Sequence, residues 1–206
     1  MDLYFSPLAC SLASRITVYE AGAEADVTLQ RVDTKTQKTA DGADYRAINP
    51  KGMVPALRTA DGDVLTENAA ILPFIADQFP AANLAPASGI ERSRLAQWLS
   101  FIGSELHKSV FTPLLSPKAN DGAKAHAREA APQRLAYLDD HLAGRDYLLD
   151  RFSVADAYLT AVLNWAPFVG IDLKTWPNVA AYYTRVTARP HVARALLEEM
   201  GLFKAA

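Results

Sequence analysis

Strand and hairpin signals in this 206-residue chain crowd into its first eighty positions, and beyond residue 89 none recur. A run of strands followed by a run of helices restricts the fold to a mixed layer built first and a helical unit packed beside it. Residues 2–6 read as a short strand ended by Pro7, and 12–22 as a helix with Leu12, Ile16 and Tyr19 on one side. Residues 27–32 alternate in strand fashion, and a polar, lysine-rich loop follows over 33–44. Together these make a βαβ unit. The turn at Asp61-Gly62 predicts a hairpin of two more strands, and 68–79 a helix. An Ala/Pro/Ser-rich run then interrupts all periodicity. Helical patterns follow over 90–115, 123–142, 154–165, 178–188 and 192–200, with Pro113 expected to kink or end the first of them. The expected organisation is an α/β domain over 1–80, a linker over 81–89 and an all-α domain over 90–206.

The densest stretch is 49–68, Asn-Pro-Lys-Gly-Met-Val-Pro-Ala-Leu-Arg-Thr-Ala-Asp-Gly-Asp-Val-Leu-Thr-Glu-Asn. Pro55 cannot donate to a ladder, so Val54 beside it would leave backbone free for an extended peptide to dock as an extra strand. Asn68 at the helix start would cap N–H groups with its side chain, in a field that also favours a carboxylate, while Glu67 offers a negative charge to an ammonium. The pair suits the two ends of an amino acid. A plain hairpin followed by a capped helix fits the same residues.

Half the residues are hydrophobic and 21% are charged, which is enough apolar material for a core. The net charge of -2, without a basic run, gives no electrostatic reason to expect nucleic acid or a membrane surface as partner. No segment reaches about 18 uninterrupted apolar residues, and the N-terminus lacks the basic-then-apolar pattern of a signal peptide. The single cysteine, Cys10, excludes a disulfide within the chain and any multi-cysteine zinc site. His107, His126, His141 and His191 have no metal-ligand spacing, so no metal is expected. These features together point to the cytoplasm.

Cys10 stands just ahead of the first helix, where the dipole and free N–H groups would lower its pKa from about 8.5 toward neutrality and make it reactive. The alternative is a small buried hydrophobe. His107 shares a helix face with Ser100, Gly103 and Ser104, which reads as either a water-facing side or a cleft wall. Ser153 and Asp156 have the spacing of a capping box with a typical value of roughly 1 kcal/mol. Trp98, Trp165, Phe111, Phe168 and Tyr158 read as core, with a subset near His107 available to line an apolar pocket. There is no Gly-rich phosphate loop, Ser/His/Asp motif or dinucleotide fingerprint.

Several short motifs occur together and in order: Pro7-x-x-Cys10-Ser11-Leu12, Asn49-Pro50-Lys51-Gly52-x-Val54-Pro55, Leu65-Thr66-Glu67, Trp98-Leu99, Glu105-Leu106-His107-Lys108, Ala155-Asp156-Ala157-Tyr158 and Trp165-Ala166-Pro167. In these the chain resembles the bacterial beta-class glutathione transferases over essentially its whole length. The resemblance implies a thioredoxin-like N-terminal domain carrying a glutathione site, an all-helical C-terminal domain supplying most of a second-substrate pocket, a cis peptide at Pro55, and a homodimer. It implies that Val54 pairs its backbone with the cysteinyl part of glutathione and that Glu67 and Asn68 hold the γ-glutamyl end. Cys10 matches the cysteine able to form a mixed disulfide with glutathione, His107 the histidine lining the same site, and Glu105 the residue reaching the partner subunit's glutathione. Asn68, Met53 and Ser100 stand where relatives often have Ser or Gly, Gln and Asn. Gln37 stands where they often carry the lysine that meets the glycyl carboxylate, a task passing to Lys35 or Lys38.

The activity implied is conjugation of reduced glutathione, a co-substrate with no further cofactor, to small hydrophobic electrophiles, with thiol–disulfide exchange through Cys10. Phe111 and Trp165 are the candidates for the second-substrate pocket. The rival is a glutathione- or ligand-binding protein with little turnover, since a fold does not fix a function.

Overall fold

The computed structural model describes residues 1–205. Five strands form one mixed sheet: β1 (Asp2–Phe5), β2 (Thr28–Asp33), β3 (Lys38–Thr39), β4 (Ala56–Arg58) and β5 (Val64–Thr66), in the order β3-β2-β1-β4-β5. β1 runs parallel to β2, with Leu3 opposite Leu29, and this requires the crossover that α1 (Leu12–Glu20) supplies. β4 is antiparallel to both β1 and β5, and the hairpin turn contains Gly62 at φ 94°, a conformation open to glycine. β3 lies inside the stretch expected to be loop. Its two residues fold back on β2, Thr39 opposite Val32, and are too few to show an alternating pattern.

α1 departs from the one-sided helix expected. Leu12 to Tyr19 are all buried, including Ser14, Arg15 and Thr17, because the helix lies between the sheet and two helices of the second unit, α6 (Val154–Leu163) and α8 (Pro190–Lys204). Most of its polar atoms find partners inside: Thr17 donates to the Ala13 carbonyl at 2.9 Å, and Arg15 pairs with Glu198 of α8, while Arg15 Nη1 makes no hydrogen bond among the described residues. α2 (Asn68–Gln78) completes this half.

The helical half begins with α3 (Gly89–Phe101), which continues without a break through a π-helical segment, Ile102–Phe111, into α4 (Thr112–Leu115). The helix therefore runs past Pro113 instead of ending or breaking there. The wider π turn gives the proline ring room, and the His107 carbonyl is taken by both the N–H and, at 2.9 Å, the hydroxyl of Thr112. α5 (Asp121–Leu142) is capped by Asn120, whose Oδ1 accepts from the Ala123 N–H at 2.9 Å. α7 (Pro177–Thr187) precedes α8.

α6 is buried along its whole length and is the centre of this unit. Its capping box forms, but Asp156 does more than cap. The fully buried carboxylate accepts from the Ser153 N–H (2.8 Å) and hydroxyl (2.9 Å), the Leu148 N–H (2.9 Å) and the Tyr182 hydroxyl (2.9 Å). It ties the start of α6 to the preceding loop and to α7. Among the described residues no helix is long and apolar enough to cross a membrane.

Candidate active site

Two hollows meet where the sheet faces the π segment. The smaller, about 290 Å³, is bounded by the 49–55 loop, the start of α2 and the π segment. The larger, a groove of about 1050 Å³, runs between the β2–β3 region and the ends of α4 and α8. Among the described residues only Cys10 and His107 line both, so the two residues singled out in the sequence stand at the junction.

The 49–55 loop is held from behind. The Met53 carbonyl accepts from Tyr45 Oη and Asn49 Nδ2, each at 2.7 Å, and Gln37 donates to the Gly52 carbonyl at 3.1 Å. Gly52 has φ 64° with the Gln37 amide packed where a Cβ would go, so only glycine fits. The Val54–Pro55 peptide is cis, as the resemblance implied. Among the described residues the Val54 N–H has no partner, while its carbonyl accepts from the Cys10 thiol at 3.2 Å. A strand-like ligand would find one backbone donor free here.

The start of α2 differs from expectation. Glu67 occupies the cap position with φ 71°, an uncommon and strained value for a side-chain-bearing residue, and no side chain caps the helix. Asn68 points inward: its Oδ1 accepts from Ser14 Oγ (3.1 Å) and its Nδ2 donates to the Cys10 carbonyl (2.9 Å). The amide is spent on fixing the Cys10 turn, and the first N–H groups of α2 face the cavity uncapped. Glu67 is paired with Lys51 at 2.5 Å, and that ammonium holds its carboxyl below the usual range.

Burial reverses the prediction for Cys10. It pushes the thiol up to about 11, against the pull of the Lys108 ammonium, so at neutral pH Cys10 is a protonated donor to Val54. Cys10 stands in the turn just before Ser11, the cap residue of α1, and the Cys10 and Ser11 N–H groups do pull the thiol down, but burial outweighs them. His107 is pushed down to about 4, first by burial and then by Lys108, so its ring is neutral. Its Nδ1 lies 2.8 Å from Tyr158 Oη and its ring packs edge-on to Trp165 at 4.9 Å.

Beneath Cys10, Leu8 is held at φ 58° from both sides. Its N–H donates to Glu199 Oε2 at 2.7 Å and its carbonyl accepts from Trp165 Nε1 at 2.8 Å. The helical half thus fixes the loop that carries the thiol.

Val54, Pro55, Glu67 and Asn68 line the smaller cavity; Lys35 lines the groove instead. Ser100 lines neither, being exposed one helical turn away, and Ser104 occupies the cavity wall. Phe111 is fully buried against Trp165 at 5.9 Å, because the π segment turns it into the core; Trp165 does line the groove. Glu105 pairs with Arg134 at 2.8 Å. Of the residues on the smaller cavity, sequence reasoning placed Tyr158 only among core residues of which a subset was free to line an apolar pocket near His107, and gave Lys51 and Lys108 no place there. A tyrosine in an otherwise apolar stretch of α6 was the available signal for the first.

The family models for the glutathione S-transferase N-terminal domain and C-terminal domain match residues 9–78 and 104–190. The chain is 42% identical to glutathione S-transferase GstA of Escherichia coli, over 97% of this chain and 98% of that one. A sphingomonad glutathione S-transferase solved in complex with glutathione superposes with a TM-score of 0.91 at 49% identity, covering 97% of this chain and 98% of that one. The beta-class glutathione S-transferase of Sphingomonas chungbukensis gives 0.91 at 46%, with the same coverage. With a thioredoxin-like sheet, a helical second domain and a thiol at their junction, the chain belongs to the glutathione S-transferase family and is of the bacterial beta-class type.

Proposed function

We propose that the smaller cavity binds reduced glutathione and that the groove presents small hydrophobic electrophiles to its sulfur. The observation that carries this reading is that, among the described residues, Cys10 and His107 alone line both hollows, as a transfer between two sites requires. The solved relative complexed with glutathione supports the choice of peptide. The free Val54 N–H and the thiol-bonded Val54 carbonyl suit the cysteinyl unit, and Glu67 with the uncapped start of α2 suits the ammonium and carboxylate of the γ-glutamyl end. Lys35 is the cation for the glycyl carboxylate, Trp165 a wall for the electrophile, and Glu105 reaches toward a second subunit in a homodimer.

The protonated Cys10 thiol is suited to donate a hydrogen bond to the glutathione thiolate, with neutral His107 as the neighbouring ring. When glutathione disulfide enters, Cys10 gives up its proton to solvent and attacks one sulfur. A Cys10–glutathione disulfide forms and glutathione thiolate leaves; a second glutathione reverses the step. Such conjugation and exchange fit detoxification and redox maintenance in the cytoplasm.

The test is Cys10→Ala. Disulfide exchange should fall by about a hundredfold or more while conjugation of 1-chloro-2,4-dinitrobenzene stays within about tenfold. Equal losses of both, or a wild-type rate that does not saturate with glutathione, would overturn the reading.

A further inference from the structure

The groove has two unlike walls. From the helical half come Leu115, Phe168 and Phe203, which are 40%, 54% and 52% exposed and are three of the eight large hydrophobic side chains left exposed among the described residues. An apolar wall of this kind suits a ring or chain of modest size. From β2, β3 and the turn between them come Arg31, Lys38 and Lys35. Among the described residues none of these three cations has a carboxylate within 4 Å, although the protein pairs many of its other arginines.

The carboxylate on that wall, Asp33, is turned back into its own turn, accepting from the Lys35 and Thr36 N–H groups at 2.8 and 3.3 Å. Asp41, in the same loop, is engaged by the Thr39 hydroxyl at 2.5 Å and the Ala43 N–H at 3.3 Å. Three cations line this side of the groove against the one lining carboxylate, Asp33, with Asp41 behind it, so the wall carries a net positive charge. One cation suffices for the glycyl carboxylate of glutathione, and Arg31 and Lys38 remain.

We propose that the electrophile is an amphipathic anion, with an apolar body against Leu115, Phe168 and Phe203 and a carboxylate or similar group facing Arg31 and Lys38. This rests on the conjugation reading given above and narrows its substrate class from hydrophobic to hydrophobic and acidic. For an aryl halide the step balances simply. The glutathione thiolate bonds to the ring carbon, the carbon–halogen bond breaks, halide leaves, and the thiol's proton goes to solvent.

The experiment compares 4-chloro-3-nitrobenzoate with 4-chloro-3-nitrobenzamide, each rate divided by its uncatalysed rate with glutathione. The benzoate should be favoured by about tenfold, the effect of roughly one ion pair near a protein surface, and salt should erode the preference. Arg31→Glu combined with Lys38→Glu should abolish or invert it, and Arg31→Gln with Lys38→Gln, a gentler change at the same positions, should abolish it. Turnover of both compounds without preference, or a preference that survives both variants, overturns the inference and leaves conjugation standing. A parallel fall for both compounds with a raised KM for glutathione also overturns it, because the two cations would then serve the peptide. Turnover of neither compound by the wild type overturns the conjugation reading itself.

Discussion

At the scale of single residues the chemistry is decided by desolvation more than by helix position. A cysteine ahead of a helix reads as an acidified thiol, yet the Asn68 amide and the Val54 carbonyl close over the Cys10 turn, and burial outweighs the attraction of Lys108. The sign follows directly. With its thiol raised to about 11, Cys10 is almost wholly protonated at pH 7, and its thiolate fraction grows about tenfold per pH unit up to that value. Iodoacetamide labelling of the free enzyme, followed by intact mass, should therefore accelerate steadily from pH 7 to 10. A plateau by pH 8 would contradict the assignment. His107 moves the opposite way and is neutral through this range, so the labelling profile belongs to the thiol alone.

Elements place these residues, and here the sequence was legible in part. The capping box of α6 could be read from Ser153 and Asp156, but its reach could not, because Leu148 and Tyr182 donate from the preceding loop and from another helix. Asp156→Ala should cost roughly 3 kcal/mol in denaturant unfolding, since it leaves several buried donors unpaired. Ser153→Ala should cost only about 1 kcal/mol. Equal costs would reduce Asp156 to an ordinary cap. The continuous helix through Pro113 shows the other limit. Periodicity located it, but a π segment leaves no local signature, and so it could not be foreseen that Phe111, one of the residues read as core, would be closed off from the second-substrate pocket, or that Ser100 would stand outside the cavity. Asn68 failed for a similar reason: its cap role was a local inference, while its partners Ser14 and Cys10 are more than fifty residues away.

For the whole molecule, the concentration of strands in the first eighty residues was enough to give the two-part architecture, because each part carries its own periodicity. What composition could not reveal is how tightly the parts are tied at the site. α1 has no exposed face, and Leu8 is gripped by Glu199 and Trp165 from the helical half. The thiol belongs to the sheet domain by sequence and to both domains by support. The central claim is that Cys10 sits where a bound glutathione meets its acceptor. The most direct test is the rate at which Cys10 becomes glutathionylated by glutathione disulfide at pH 9, compared with hydroxyethyl disulfide and followed by intact mass. The account predicts that glutathione disulfide reacts at least about tenfold faster, and that Glu67→Gln removes most of this advantage. Equal rates for the two disulfides would mean that Cys10 lies outside the peptide's site, and the account would fail.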